Sequence, residues 1–150
     1  MLSASARYYF EESDRRLFFT TLEGSLGRHL DLDNQILLGG DSGLRGYPLR
    51  YQTGTARALL TVEQRYFSDC YPFRLFRVGG AIFFDVGRTW GTTPIGTQPL
   101  GLLKDVGLGL RLGNSRSGLG NIIHVDVAFP LDGDQSIKKL QFIVETKERF

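Results

Sequence analysis

The residues of this chain with the types and spacing for chemistry are suited to ion pairing, not to bond making. Leu44-Arg45-Gly46-Tyr47 sets a guanidinium beside a glycine and an aromatic ring, in a stretch that also holds Gly39, Gly40, Gly43, Pro48 and Gly54. Phe83, Asp85 and Gly87 alternate, and Asp85 lies 40 residues after Arg45. Glu63 and Arg65 share one parity, as do His124 and Asp126. A His/Asp pair needs a nucleophile to be catalytic, and no recognisable nucleophile motif accompanies this one, so an enzyme is not expected. With His29, His124 and the single Cys70, neither a metal-ligand cluster nor an intrachain disulfide is expected, and no cofactor is implied.

The elements that carry these residues follow from alternation, because successive side chains of a strand point to opposite faces. In residues 3–12, Ala4, Ala6, Tyr8 and Phe10 oppose Ser5, Arg7, Tyr9 and Glu11. In 16–28, Phe18, Thr20, Leu22 and Leu26 oppose Phe19, Thr21, Glu23 and Ser25. In 55–67, Ala58, Leu60, Val62 and Tyr66 oppose Arg57, Thr61, Glu63 and Arg65. In 73–90, Phe76, Val78, Ile82, Phe84 and Val86 oppose Arg77, Gly79, Phe83, Asp85 and Gly87. Val106, Leu108, Leu110 and Leu112 oppose Gly107, Gly109 and Arg111 in 104–112, and Ile123, Val125, Val127 and Phe129 oppose Ile122, His124, Asp126 and Ala128 in 121–129. The last strand sets Leu140, Phe142 and Val144 against Glu145, Lys147 and Arg149 and ends on Phe150. No helix-period stretch competes.

About seven strands of roughly 9–14 residues result, and about 9–11 tilted residues cross a hydrocarbon layer. Their connections alternate between short turns and long loops at 29–54 and 91–103, as in outer-membrane barrels with short periplasmic turns. A soluble antiparallel sandwich also alternates, with the apolar rows packed inside. The mixture of glycine and charge on the wet face favours a barrel lumen. At 150 residues the chain is one domain, and a formal charge of +2 is too small to imply nucleic acid. The segment Met1–Arg7 has no apolar core of a secretory signal, so an outer-membrane location requires sequence upstream or a leader already removed.

Two segments carry a family resemblance. Leu44-Arg45-Gly46-Tyr47 on the long loop and Phe83-Phe84-Asp85-Val86-Gly87 on a strand resemble two diagnostic motifs, (V/I/L)-R-G-(F/Y) and F-x-D-x-G. These mark the polypeptide-transporting outer-membrane barrels, the superfamily of BamA, TamA and FhaC, and the terminal Phe150 suits the same family. The resemblance covers nearly all of this chain but only the C-terminal half of a sixteen-stranded family barrel. It implies an all-β, antiparallel transmembrane barrel of which this chain supplies about seven or eight strands, in the bacterial outer membrane. It implies a role in protein translocation or outer-membrane protein assembly, with unfolded client polypeptide and membrane lipids as partners. A structural or surface-antigen barrel, or a membrane anchor, stays open as an alternative.

In physical terms, an arginine carried into a lumen must be paired, and Asp85 has the inward parity to hold it, bidentately if both carboxylate oxygens are free. Gly46 then serves a close approach or a positive φ. Tyr47 is expected to stack on the wall, with Gly87 leaving space. Glu63 and Arg65 either extend a charge network around the loop tip or make ordinary cross-strand pairs. Leu140, Phe142, Val144 and Phe150 form the closing-strand signal. An eight-stranded ring is filled by its own side chains, so the long loop demands a wider ring. The ring is expected to be completed by upstream strands or by a second copy in a homodimer.

Overall fold

The computed structural model describes residues 1–28, 35–69, 76–91, 101–114, 122–133 and 137–147. Phe150, His29, Cys70, Tyr71 and most of the connections at 91–103 and 113–120 lie outside them.

The chain is all-β. Seven strands form one antiparallel sheet in the order β1 (Leu2–Ser13), β2 (Arg16–Leu26), β5 (Ala56–Phe67), β6 (Phe76–Trp90), β7 (Leu103–Asn114), β8 (Ile122–Pro130) and β9 (Gln141–Lys147). Every consecutive pair in that order is a meander step, so no strand crosses another. The long loop between β2 and β5 carries its own hairpin, β3 (Ile36–Leu38) with β4 (Gln52–Gly54), where only irregular loop was expected. Leu140 falls just before β9 instead of within it.

The sheet does not close on itself: β1 and β9 are its two edges. It is nevertheless concave. Arg45 from the loop bonds at once to Glu63 on β5, Asp85 on β6 and Asp126 on β8. In a flat sheet with strands about 4.8 Å apart, β5 and β8 lie about 14 Å from each other, too far for one guanidinium. The strands therefore curl around the loop.

The two faces reverse the polarity of a soluble sheet. The concave face buries Glu63, Arg65, Asp85, Asp105, Arg111, His124 and Asp126 together with Phe83, Ala81 and Ala128. The convex face leaves large apolar residues open: Ile82 is 60% exposed, Leu108 59% and Phe142 65%. Register aligns these into continuous rows. Val62 pairs with Phe84, Phe84 with Val106 and Val106 with Phe129, while Ile82 pairs with Leu108, Leu108 with Val127 and Val127 with Phe142. Among the described residues no second layer covers these rows. An apolar face of this extent is a surface that meets lipid or protein.

The register can be checked directly. In a Cys70→Ser background, cysteines placed at Ile82 and Leu108, which are direct partners, are expected to cross-link under mild oxidation. Cysteines at Ile82 and Leu112 are displaced by four residues, about 13 Å along the strand, and are expected not to. Equal cross-linking of the two pairs would show a slipped sheet.

Candidate functional site

The loop is tethered before its tip is placed. The β3–β4 hairpin sits over β5 and β6, where the Thr89 hydroxyl donates to Gln52 Oε1 at 3.1 Å. Arg57 on β5 donates from one nitrogen to the carbonyls of Leu37 (3.1 Å) and Ser42 (3.0 Å), and its other terminal nitrogen meets Glu23 at 3.0 Å. A 3₁₀ turn at Gly40–Ser42 ends on Gly43, at φ 118°, a left-handed conformation that glycine adopts without strain. Leu44 then drops into an apolar cluster with Leu38, Tyr47, Leu59 and Leu103.

Arg45 follows Leu44 and is 6% exposed. Its Nε and Nη2 donate to the two oxygens of Asp85 at 2.8 and 3.1 Å, a fork-on-fork pair. Its Nη1 donates to Glu63 Oε2 at 2.9 Å and to Asp126 Oδ2 at 3.0 Å. The guanidinium lies 3.4 Å from the centroid of the Phe83 ring. Phe83 and Asp85 are two apart on one strand face, so one supplies the platform and the other the clamp. That is the physical content of the F-x-D spacing. Burial alone lowers the Arg45 pKa, but Asp85, then Glu63 and Asp126, more than offset it, and the group is held charged above its ordinary range.

The receptor for Arg45 is itself knitted together. Arg65 Nε donates to Glu63 Oε1 at 2.7 Å. Arg111, fully buried, donates from Nη2 to Glu63 Oε1 at 2.8 Å and pairs through Nη1 with Asp126. Glu63 thus takes three guanidinium groups, and the network reading of Glu63 and Arg65 holds over simple cross-strand pairing. Arg111 and Asp126 were placed on the inward face by parity, but their joint hold on Glu63 and Arg45 was not foreseen. Asp105, on the same parity as Gly107 and Arg111, was missed altogether. It accepts the Gly46 N–H at 3.0 Å.

The glycines explain themselves by contact. A β-carbon on Gly46 would lie 2.5 Å from that of Asp105, so glycine lets the loop backbone reach the wall; close approach, not positive φ, is its role. Gly107 is the cross-strand partner of Phe83, and any side chain there would occupy the place of the Phe83 ring. Gly87 does not make room for Tyr47. Its space is filled by the side chains of Leu38 and Leu59, each 3.2 Å from where a β-carbon would stand. Tyr47 stacks instead on Tyr51, with ring centroids 5.2 Å apart, since the hydroxyl is drawn toward backbone carbonyls. That hydroxyl lies 2.8 Å from the carbonyl oxygens of both Lys104 and Asp132 and accepts the Asp132 N–H at 3.2 Å. Burial pushes the Tyr47 phenol up to about 12.

Of the remaining expected residues, Phe142 and Val144 stand on the convex face of β9, where Phe142 pairs with Val127 and Val144 with Val125. His124 is buried on the inward face beside Arg111 across the β7–β8 ladder. Among the described residues no group of three metal-binding side chains occurs. The arrangement holds a guanidinium among three carboxylates. Compared with protein-family models, curated proteins and solved structures, the chain gives no match.

Two outcomes are expected. Arg45→Ala leaves Asp85 buried without its cation and should cost about 3–5 kcal/mol of stability. Adding Asp85→Asn should recover part of that loss, and Arg45→Lys should not restore wild-type stability, since an ammonium cannot make the forked pair. Urea unfolding of wild type, Arg45→Ala, Asp85→Asn, the double variant and Arg45→Lys checks this; full additivity of the two single losses would refute the pairing. Second, the Tyr47 pKa is raised in the folded state from 10.0 to about 12, so the stability it contributes is present below pH 10 and is lost as pH rises through 12. Melting curves across that window should fall more steeply for wild type than for Tyr47→Phe.

Proposed function

We propose that this chain forms part of the wall of a transmembrane β-barrel that moves polypeptide across, or assembles protein into, the bacterial outer membrane. The observation that carries this is the loop-to-wall latch: an arginine tip, buried on the inner face and clamped by Asp85, beneath an outer face of open apolar rows. The motif resemblance points the same way. A soluble sandwich would bury its apolar rows and wet its charged ones, which is the opposite of the arrangement here.

The barrel acts without a chemical step. The loop tip occupies the lumen as a plug, and Arg45 with Asp85 is the latch that sets its position. The β9 edge is the seam at which a client strand adds to the sheet.

Ring completion follows from strand direction. Seven antiparallel strands make β1 and β9 run the same way. A second copy inserted with the same orientation would meet both edges as parallel neighbours, whereas outer-membrane barrels are antiparallel throughout. An odd number of strands from outside residues 1–150 closes the ring with every pair antiparallel. Of the two ways to finish the barrel, upstream strands are therefore favoured over a homodimer.

The test separates the latch from the fold. Arg45→Ala and Asp85→Ala should each reduce secretion or assembly activity in a reconstituted vesicle assay while the protein still inserts. Undiminished activity of both variants would end the latch role.

A further inference from the structure

On the convex face, two cations stand above the apolar rows. Arg88 has the outward parity of β6, between Val86 and Trp90, and Lys104 is the direct partner of Val86 on β7. They are diagonal neighbours, about 7–8 Å apart by strand geometry. Arg88 rests against the Trp90 ring, 5.5 Å from its centroid. Its Nε has no hydrogen-bond partner, and no carboxylate pairs with it, among the described residues. Lys104 has Asp132 at 3.4 Å, with both side chains more than a third exposed. Lys138 and Lys139, also exposed, lie at the same rim in the segment leading into β9. At the opposite rim Arg77 joins Arg15 and Arg16, with Glu11, Glu12, Asp14 and Asp69 beside them; Arg15 pairs with Asp69 and Arg77 donates to the Asp14 carbonyl at 3.4 Å.

We propose that Arg88 and Lys104 bind the phosphate-monoester head group of a membrane lipid. The proposal rests on the membrane-spanning reading above. Three features converge on it. The pair sits where the apolar rows end, Leu60–Val86 and Val62–Phe84–Val106 lying directly below, so an acyl chain can run down the face while its head group stays at the cations. Trp90 is the residue type that settles at a membrane–water boundary. A phosphate monoester carries a charge of about −1.5 to −2 at neutral pH, so it bridges Arg88 and Lys104 and competes with Asp132 for Lys104 better than a singly charged diester does. Basic side chains at such a boundary each strengthen anionic lipid binding by a small and roughly additive amount. The pair lies at the rim that bears the long loops, which faces the outside of the cell when the short turns are periplasmic, as in outer-membrane barrels.

The experiment uses the full chain in mild detergent, with lipid adducts counted by native mass spectrometry. The probes are lipid A, with phosphate monoesters; phosphatidylglycerol, a diester; and phosphatidylethanolamine, which is zwitterionic. Lipid A should be retained above the other two. R88Q/K104Q should lower lipid A retention about tenfold, while R15Q/R16Q on the opposite rim should leave it unchanged. Wild-type retention of lipid A should also fall as salt is raised, a readout that needs no variant to fold. Equal retention by R88Q/K104Q and wild type, retention without preference among the three lipids, or no salt dependence would overturn the site alone. A chain that retains no lipid of any class and stays in solution without detergent would overturn the membrane reading with it.

Discussion

The structure is organised around the desolvation of one guanidinium. Once Arg45 leaves water, its donors must all find acceptors, and no single strand can supply enough of them. β5, β6 and β8 each contribute one carboxylate, which obliges the sheet to curl until they converge. The dependence is mutual but uneven. Glu63 and Asp126 keep Arg111 as a second cation, and Glu63 keeps Arg65 as well. Asp85 pairs with Arg45 and with no other cation among the described residues. The position of the loop therefore depends on Asp85 more than on its neighbours.

The space for this arrangement comes from what the strands omit. Phe83 can lie flat beneath the guanidinium because its cross-strand partner is Gly107, and Gly109 likewise gives room to Arg111 and Asp126. Large side chains of β6 and β7 that would fill a small barrel are directed to the convex side, leaving the concave side to charge, glycine and the loop. The apolar cluster of Leu38, Leu44, Tyr47, Leu59 and Leu103 is the counterpart of a conventional core, and it is small because it only needs to seat the loop.

Much of this was legible in the sequence. Alternation assigned the face of residues such as Ile82, Asp85, Leu108 and His124 correctly, because a period of two leaves little freedom in a meander without crossovers. The partnership of Arg45 with Asp85 was also readable, since a charged loop tip and an inward carboxylate at a motif position leave few other options. Depth and contact across strands were not readable. Parity puts Arg111 and Asp126 indoors without saying that Arg111 meets Glu63 or that Asp126 meets Arg45, and nothing in the alternation marks Asp105 as the acceptor for the Gly46 N–H. The β3–β4 strands are three residues each, too short for alternation to register. Tyr47 and Gly87 had the right location and the wrong neighbours, because it is decided only in three dimensions that Leu38 and Leu59 fill the space at Gly87 and that Tyr51 stacks on Tyr47.

The hairpin at the base of the loop bears on how that segment can move. Its root is pinned by a ladder of backbone bonds and by Gln52 against Thr89, whereas its far end is held by the ion pairs of Arg45, the Tyr47 hydroxyl and the apolar seat of Leu44. Backbone ladders and ion clasps yield to different disturbances. Water or a competing cation admitted to the concave face would loosen the ion clasp first, and the arm would swing about a fixed pivot, staying attached to the sheet it had just uncovered.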